Sequence, residues 1–371
     1  MKVVCDRAAV LDALGMASSV VSGRTPSPIL HCVKLVASDG RLSIAATDSE
    51  IAVRIGVAQV DVQDDGDALV PADKLVQIVR ASEDATLTLH AQKQALHIKG
   101  ADSHFKVLGF DPKEYPPIKD FPESKADCIV NAAQFRRLVT RSLFATAVEN
   151  SRYAINGVLF ERSGRKLRLV ATDGRRLAVA RGECDSAADG DTRCIIPTKA
   201  LNILNRLIDD PDASVKVSVD SHQVRFLIGD ADDAAMLTSN LVEGSFPPFE
   251  DVIPKDQDKR VTIDASELTS AVRRAALLTN QESKGVRLAF GDHRLVLSSR
   301  APEMGEAEIQ VEMPEYQGEP IEIGFNPSFI VDALKVIDGG PVMIELKAPN
   351  KPGVLKVGQD FTYVVMPVSL A

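Results

Sequence analysis

The chain has 371 residues, 45% of them apolar, enough to bury a core in each of two or three domains. Its net charge of -9 and pI near 5.3 argue against a nucleic-acid binder of the usual basic kind, and no apolar run approaches the length of a membrane span. Five cysteines, Cys5, Cys32, Cys128, Cys184 and Cys194, lie far apart without a CxxC pair, and the amino terminus lacks a signal layout, so a reducing, cytoplasmic setting is expected.

In chain order, Val3-Val4-Cys5-Asp6 reads as a short strand ending in a helix cap, and the helix AAVLDALGMASSVV follows. Residues 28–36 and 41–46 alternate as strands around an Asp39-Gly40 turn. Leu69-Val70-Pro71 then leads into a second helix, ADKLVQIV, with proline placed at the first turn where its missing N–H is no loss. Hairpin-like strands follow from Ala85, and Tyr115-Pro116-Pro117 halts regular structure.

The same order returns twice. Cys128 to Asn131 opens a helix over 131–148, strands follow at 157–161 and 166–171, and Ile195-Ile196-Pro197 opens another helix before strands from Val215. After Phe246-Pro247-Pro248, the strand Val261 to Asp264 opens ASELTSAVRRAALLT, strands follow at 285–290 and 294–299, and Gly324-Phe325-Asn326 opens PSFIVDALKVI before strands from Val342. From Cys5 to Val130 the shift is 125 residues, and from Val130 to Ile263 it is 133, so the repeats are whole domains rather than solenoid units. The expected fold is α+β, with domains at 1–124, 125–253 and 254–371, each with two helices backed by antiparallel sheets having one buried face.

The helix over 131–148 places Phe135, Leu138, Val139, Ser142 and Thr146 on one face, Arg137 and Arg141 on the other and Arg136 on the flank, with no acid between Asn131 and Val148. Phe144 fits badly, falling among the arginines. Windows 6–22, 71–81, 131–148, 197–208, 264–279 and 326–337 hold 11 basic and 6 acidic residues, a net +5, which leaves -14 for the rest of the chain. Cationic helices beside acidic strands and loops permit two surfaces with two tasks, one of them facing an anion.

Catalytic and ligand motifs are missing. There is no HExxH, GxxxxGK[ST] or GxGxxG after a strand, and the sevenfold spacing of His90, His97 and His104 reads as adjacent strands rather than ligands, so no metal or cofactor is expected. Thr47-Asp48 and Thr172-Asp173 resemble paired catalytic carboxylates, but a turn-forming Asp inherited with the repeat explains both, and Ser299-Arg300 stands in the third domain. The chain reads as a non-enzyme.

Four segments then occur together: Gly23-Arg24 before Pro28-Ile29-Leu30, Arg152-Tyr153 before Asn156-Gly157, residues 171–179 (ATDGRRLAV), and the tail Tyr363-Val364-Val365-Met366-Pro367. Over its whole length the chain resembles the bacterial DNA polymerase III beta subunits, the replicative sliding clamps. The resemblance implies a head-to-tail homodimer closing a six-domain ring, with helices lining a hole for double-stranded DNA and sheets forming the outer wall. It also implies a groove between the second and third domains for short peptides of the polymerase III alpha subunit, the clamp-loader delta subunit, and other polymerases and repair proteins.

Carried over by position, Arg24, Arg80, Arg152, Tyr153, Lys199 and Arg206 are implied DNA contacts, to which the charged face adds Arg136, Arg137 and Arg141. The implied groove comprises Ile155, Thr172, Gly174, Arg175, Arg176, Leu177, Pro247, Val252, Asn326, Phe329, Val364, Val365, Met366, Pro367, Val368 and Leu370. The implied subunit junction sets Lys74, Phe105 and Val107 against Leu277, Leu278, Glu303 and Glu306. Asp73, Glu149, Asp251 and Ser369 depart from the family pattern. The alternatives are a peptide-binding scaffold that does not encircle DNA, and an enzyme using Asp48 or Asp173.

Overall fold

The computed structural model describes residues 1–21, 25–122, 126–148, 153–229, 234–279, 285–291, 293–313 and 315–369. Among them are the six expected helices: α1 (Arg7–Ser18), α2 (Ala72–Ala81), α3 (Ala132–Leu143), α4 (Thr198–Leu207), α5 (Ala265–Ala275) and α6 (Pro327–Lys335). Local sequence sets their starts. Asp6, Asn131, Asp264 and Asn326 each turn a side-chain oxygen onto a first-turn N–H that has no partner within the helix. Pro71 and Pro197 stand at the cap position itself, one place earlier than expected, whereas α6 carries Pro327 inside its first turn.

On α3 the predicted apolar face is buried at Phe135, Leu138, Val139 and Ser142. The Ser142 hydroxyl avoids an unpaired burial by donating to the Leu138 and Val139 carbonyls. Thr146 lies beyond the helix and donates to the Leu143 carbonyl at 2.9 Å.

Each helix is preceded by one strand and followed by a meander of three, with Val60–Asp64 and Ser186–Ala187 as additional short strands after those of α1 and α3, so the repeating unit is a strand, a helix and a three-stranded meander rather than a hairpin. The two units of a repeat exchange strands. Lys2–Asp6, which leads into α1, pairs with Thr86–Gln92 after α2, while Gly66–Pro71, which leads into α2, pairs with Cys32–Ser38 after α1. Neither unit can complete its sheet alone, which makes each repeat cooperative.

Sheets also run across the repeat boundaries. Ile51–Val57, the last strand of the first meander in repeat one, pairs antiparallel with Ala235–Asn240, the final strand of repeat two. Arg176–Glu183 pairs in the same way with Phe361–Val365, the final strand of repeat three. For this reason the compact units do not coincide with the three repeats. One unit comprises Met1–Arg136, Ser163–Arg165 and Cys184–Leu241; the other comprises Arg137–Arg162, Lys166–Glu183 and Val242–Ala371.

The proline-rich connectors are laced onto the sheets beneath them. The buried Tyr115 hydroxyl donates to the Cys32 carbonyl at 3.2 Å and accepts from the Thr47 N–H at 2.9 Å. Within the other unit, Arg168 bonds Glu161 at 2.7 Å and Glu250 at 2.8 Å and lies 5.0 Å from the Phe249 ring centroid, pinning the chain after Pro247 and Pro248.

The Asp48 and Asp173 dipeptides are turns. Each Oδ1 accepts two backbone N–H groups, from Glu50 and Ile51 and from Arg175 and Arg176. Gly174 sits at φ 84 in the second turn; Ser49 occupies the matching place at φ 78. His90, His97 and His104 do lie on three neighbouring strands. No helix among the described residues is long and apolar enough to cross a membrane.

Candidate functional site

The tail strand organises one site. Phe361–Val365 is wholly buried and is paired on both edges, with Arg176–Glu183 and Gly353–Val357, so Val364 and Val365 are not surface residues. Beyond it the chain turns outward. Met366 donates its N–H to the Arg175 carbonyl, Val368 donates to that of Gly324, and Met366 is 41% exposed. Leu370 lies outside the described residues.

Arg176 is the hub of this site. Its guanidinium bonds the Asp173 carboxylate at 3.0 Å, the Asp332 carboxylate at 2.9 Å and the Phe144 carbonyl at 2.9 Å. It stacks 4.5 Å from the Phe329 ring centroid and 5.6 Å from that of Phe144. Burial works against its charge, but the Asp332 hydrogen bond, Tyr363 and Asp173 outweigh that and hold it above the ordinary arginine range. One side chain therefore ties the end of α3, the 173–176 turn and α6 together. Phe144, Asp332 and Tyr363, whose hydroxyl donates to the Phe329 carbonyl at 2.9 Å, were not foreseen. The signal for Phe144 was its misfit among the α3 arginines.

Around this hub, Thr172 donates to the Arg176 carbonyl and Gly174 donates to the Thr172 hydroxyl. Leu177 faces Val364 in register, Ile155 is buried, Pro247 is half-buried, Val252 is 48% exposed, and Asn326 caps α6. A cavity of about 520 Å³ adjoins the tail, where Met366 to Ser369 meet Arg287, Glu322, Gly324 and Asn350.

The cationic residues divide. Arg80, Arg136, Arg137 and Arg206 are exposed, and Arg136 also donates to the Ile208 carbonyl at the end of α4. Arg141 is a correction: it is 8% exposed, with its guanidinium 5.7 Å from the Phe361 ring centroid, because the last turn of α3 faces a sheet rather than water. Lys199 is exposed but paired with Asp48. Tyr153 is 43% exposed. Arg24 and Arg152 lie outside the described residues.

Two of the strands that end their sheets carry the residues of the implied junction. His104–Leu108 closes the order of its five-stranded sheet, with Phe105 39% and Leu108 71% exposed. Val107, on the same strand face as Phe105, is 8% exposed, and Leu108 lies on the opposite face. Lys74 on α2 is exposed and pairs with Asp73 at 3.5 Å. In the third repeat Gly305–Glu312 ends its four-stranded sheet with Glu306, Glu308 and Glu312 exposed. Glu303 and Leu277 are exposed and Leu278 is half-buried. Met304, not foreseen, is 51% exposed.

Strand–helix–meander units joined edge to edge through three repeats, with His104–Leu108 and Gly305–Glu312 among the strands that end their sheets, define a DNA-clamp architecture. Models of the N-terminal, central and C-terminal domains of the DNA polymerase III beta subunit match residues 1–119, 129–248 and 250–369, and the chain belongs to that family. It is 33% identical to the beta sliding clamp of Pseudomonas putida, with both chains covered completely. It is 35% identical to that of Caulobacter vibrioides over 99% of this chain and all of the relative. A crystal structure of the DNA polymerase III subunit beta from Pseudomonas aeruginosa superposes with a TM-score of 0.90 at 33% identity over the full length of both chains.

Proposed function

We propose that this chain is a DNA polymerase processivity factor, a sliding clamp whose two copies close head to tail around duplex DNA. It performs no catalysis; it tethers the polymerase and other clients through the groove at the tail strand. The observation that carries this reading is the pattern of junctions. The last meander strand of repeat one meets the final strand of repeat two, and that of repeat two meets the final strand of repeat three. Continuing the rule, Gly305–Glu312 of repeat three meets His104–Leu108 of repeat one in a second copy, and two such contacts close.

The register follows from the internal repeat. Val53 stands opposite Leu237, and Ala178 opposite Tyr363. Aligning the meanders through their pairings sets Ala307 opposite Phe105, Glu306 opposite Lys106 and Glu308 opposite His104 of the second copy. The acidic strand would thus meet a cationic one, which favours a unique alignment. Exposed arginines on α2, α3 and α4 supply contacts to phosphate without base readout, so the ring can slide.

Topological retention tests the reading. Loaded protein should remain on nicked circular DNA and leave when the circle is cut. Equal loss from both forms would favour a scaffold that does not encircle its track, and equal retention would indicate ordinary affinity.

A further inference from the structure

On the solvent side of the first repeat's five-stranded sheet, three imidazoles stand in a row on consecutive strands. His90 and His97 are direct cross-strand partners with ring centroids 6.4 Å apart. His104 faces Lys99, two places along from Lys106, which faces His97, so it lies diagonal to His97; their rings stack with centroids 5.2 Å apart. The closest atoms are His97 Nδ1 and His104 Nε2 at 3.0 Å.

Two neutral rings at that distance share one hydrogen between two nitrogen lone pairs. Replacing that hydrogen by a metal ion needs little movement. Zinc–nitrogen bonds of about 2.0–2.1 Å in a tetrahedral arrangement hold two ring nitrogens about 3.3 Å apart. Imidazole selects borderline divalent ions over magnesium or calcium. We infer that His97 and His104 form a two-imidazole site for a divalent transition-metal ion such as zinc or nickel, which staples the edge strand His104–Leu108 to its neighbour.

Among the described residues no group of three or more His, Cys, Asp or Glu is placed to hold a metal, so water completes the coordination. The exposed pair leaves room for it. Lys99 and Lys106 flank the rings and oppose a cation, an effect that salt screens at an exposed surface.

Calorimetric titration of the untagged full-length protein with nickel or zinc chloride tests this. One ion per chain should bind, and His97→Gln or His104→Gln should each weaken binding by more than about tenfold. His90→Gln should change it less. In the wild type the ion should slow amide hydrogen exchange along His104–Leu108. Absence of binding at millimolar metal, or equal binding by a folded double His97→Gln, His104→Gln variant, would overturn the assignment. Neither outcome bears on retention around circular DNA.

Discussion

Arg176→Ala asks whether one guanidinium holds the proposed client groove together. The side chain is 10% exposed and bonds two carboxylates and one carbonyl. A hydrogen bond to a charged group nets about 1.5–3 kcal/mol, and a cation–π contact about 0.5–1 kcal/mol. Asp332 is 32% exposed and recovers water when abandoned, so its share is discounted. The expected loss is about 3 kcal/mol, a fall of roughly 6–12 °C in the midpoint of the affected unit. Urea unfolding gives the stability change. Fluorescence anisotropy with a labelled clamp-binding peptide, measured where the variant remains folded, gives the consequence for the groove. Arg176→Lys retains a positive charge but cannot span three acceptors, so it should recover less than half of either loss. A variant with unchanged midpoint and unchanged peptide affinity would refute the reasoning: Phe144, Phe329 and the 173–176 turn would then hold their places without the guanidinium.

Lys106→Glu should shift the protein toward monomer in sedimentation velocity, and adding Glu306→Lys should restore the dimer; failure of the restoration would reject the deduced register. Arg136→Glu with Arg137→Glu should flatten the salt dependence of DNA association with little effect on folding, whereas Arg141→Glu should destabilise by a few kcal/mol, since it buries an acid beside Phe361. Tyr115 has its hydroxyl pushed up to about 12 by burial, so its contribution is complete below the unfolded value near 10 and is lost as pH rises toward 12. Tyr115→Phe should cost about 1–2 kcal/mol at neutral pH and flatten the alkaline limb of a stability profile. An alkaline limb identical to wild type would place the titration elsewhere.

Much of the local architecture was legible because it depends on neighbours in sequence. Asn131 and Asp264 cap helices wherever the rest of the chain lies, and the expected alternation holds over Arg41–Ile44, beyond which the strand is buried on both faces to Thr47. The repeat spacing carried the three-fold order. The turn role of Asp48 and Asp173 was likewise legible, as a property of four consecutive residues.

Arg141 and Phe144 mark where that reasoning stops. Helical period places Arg141 with Arg137, but whether a residue meets water or a sheet depends on what packs against the last turn, and there it is Phe361, more than two hundred residues away. Phe144 looked misplaced until Arg176 stacked on it.

The sequence by itself determined the helices, their Asp and Asn caps, the order of the repeats and the net positive charge of the helices taken together, since these follow from short-range sterics, hydrogen bonding, periodicity and composition. Tertiary structure alone decided which arginines remain in water, that one guanidinium joins the end of α3, the 173–176 turn and α6, and that His104–Leu108 and Gly305–Glu312 each end a sheet. Those outcomes depend on strand pairings between residues far apart in the chain, and no local pattern encodes which distant backbone will supply the partner.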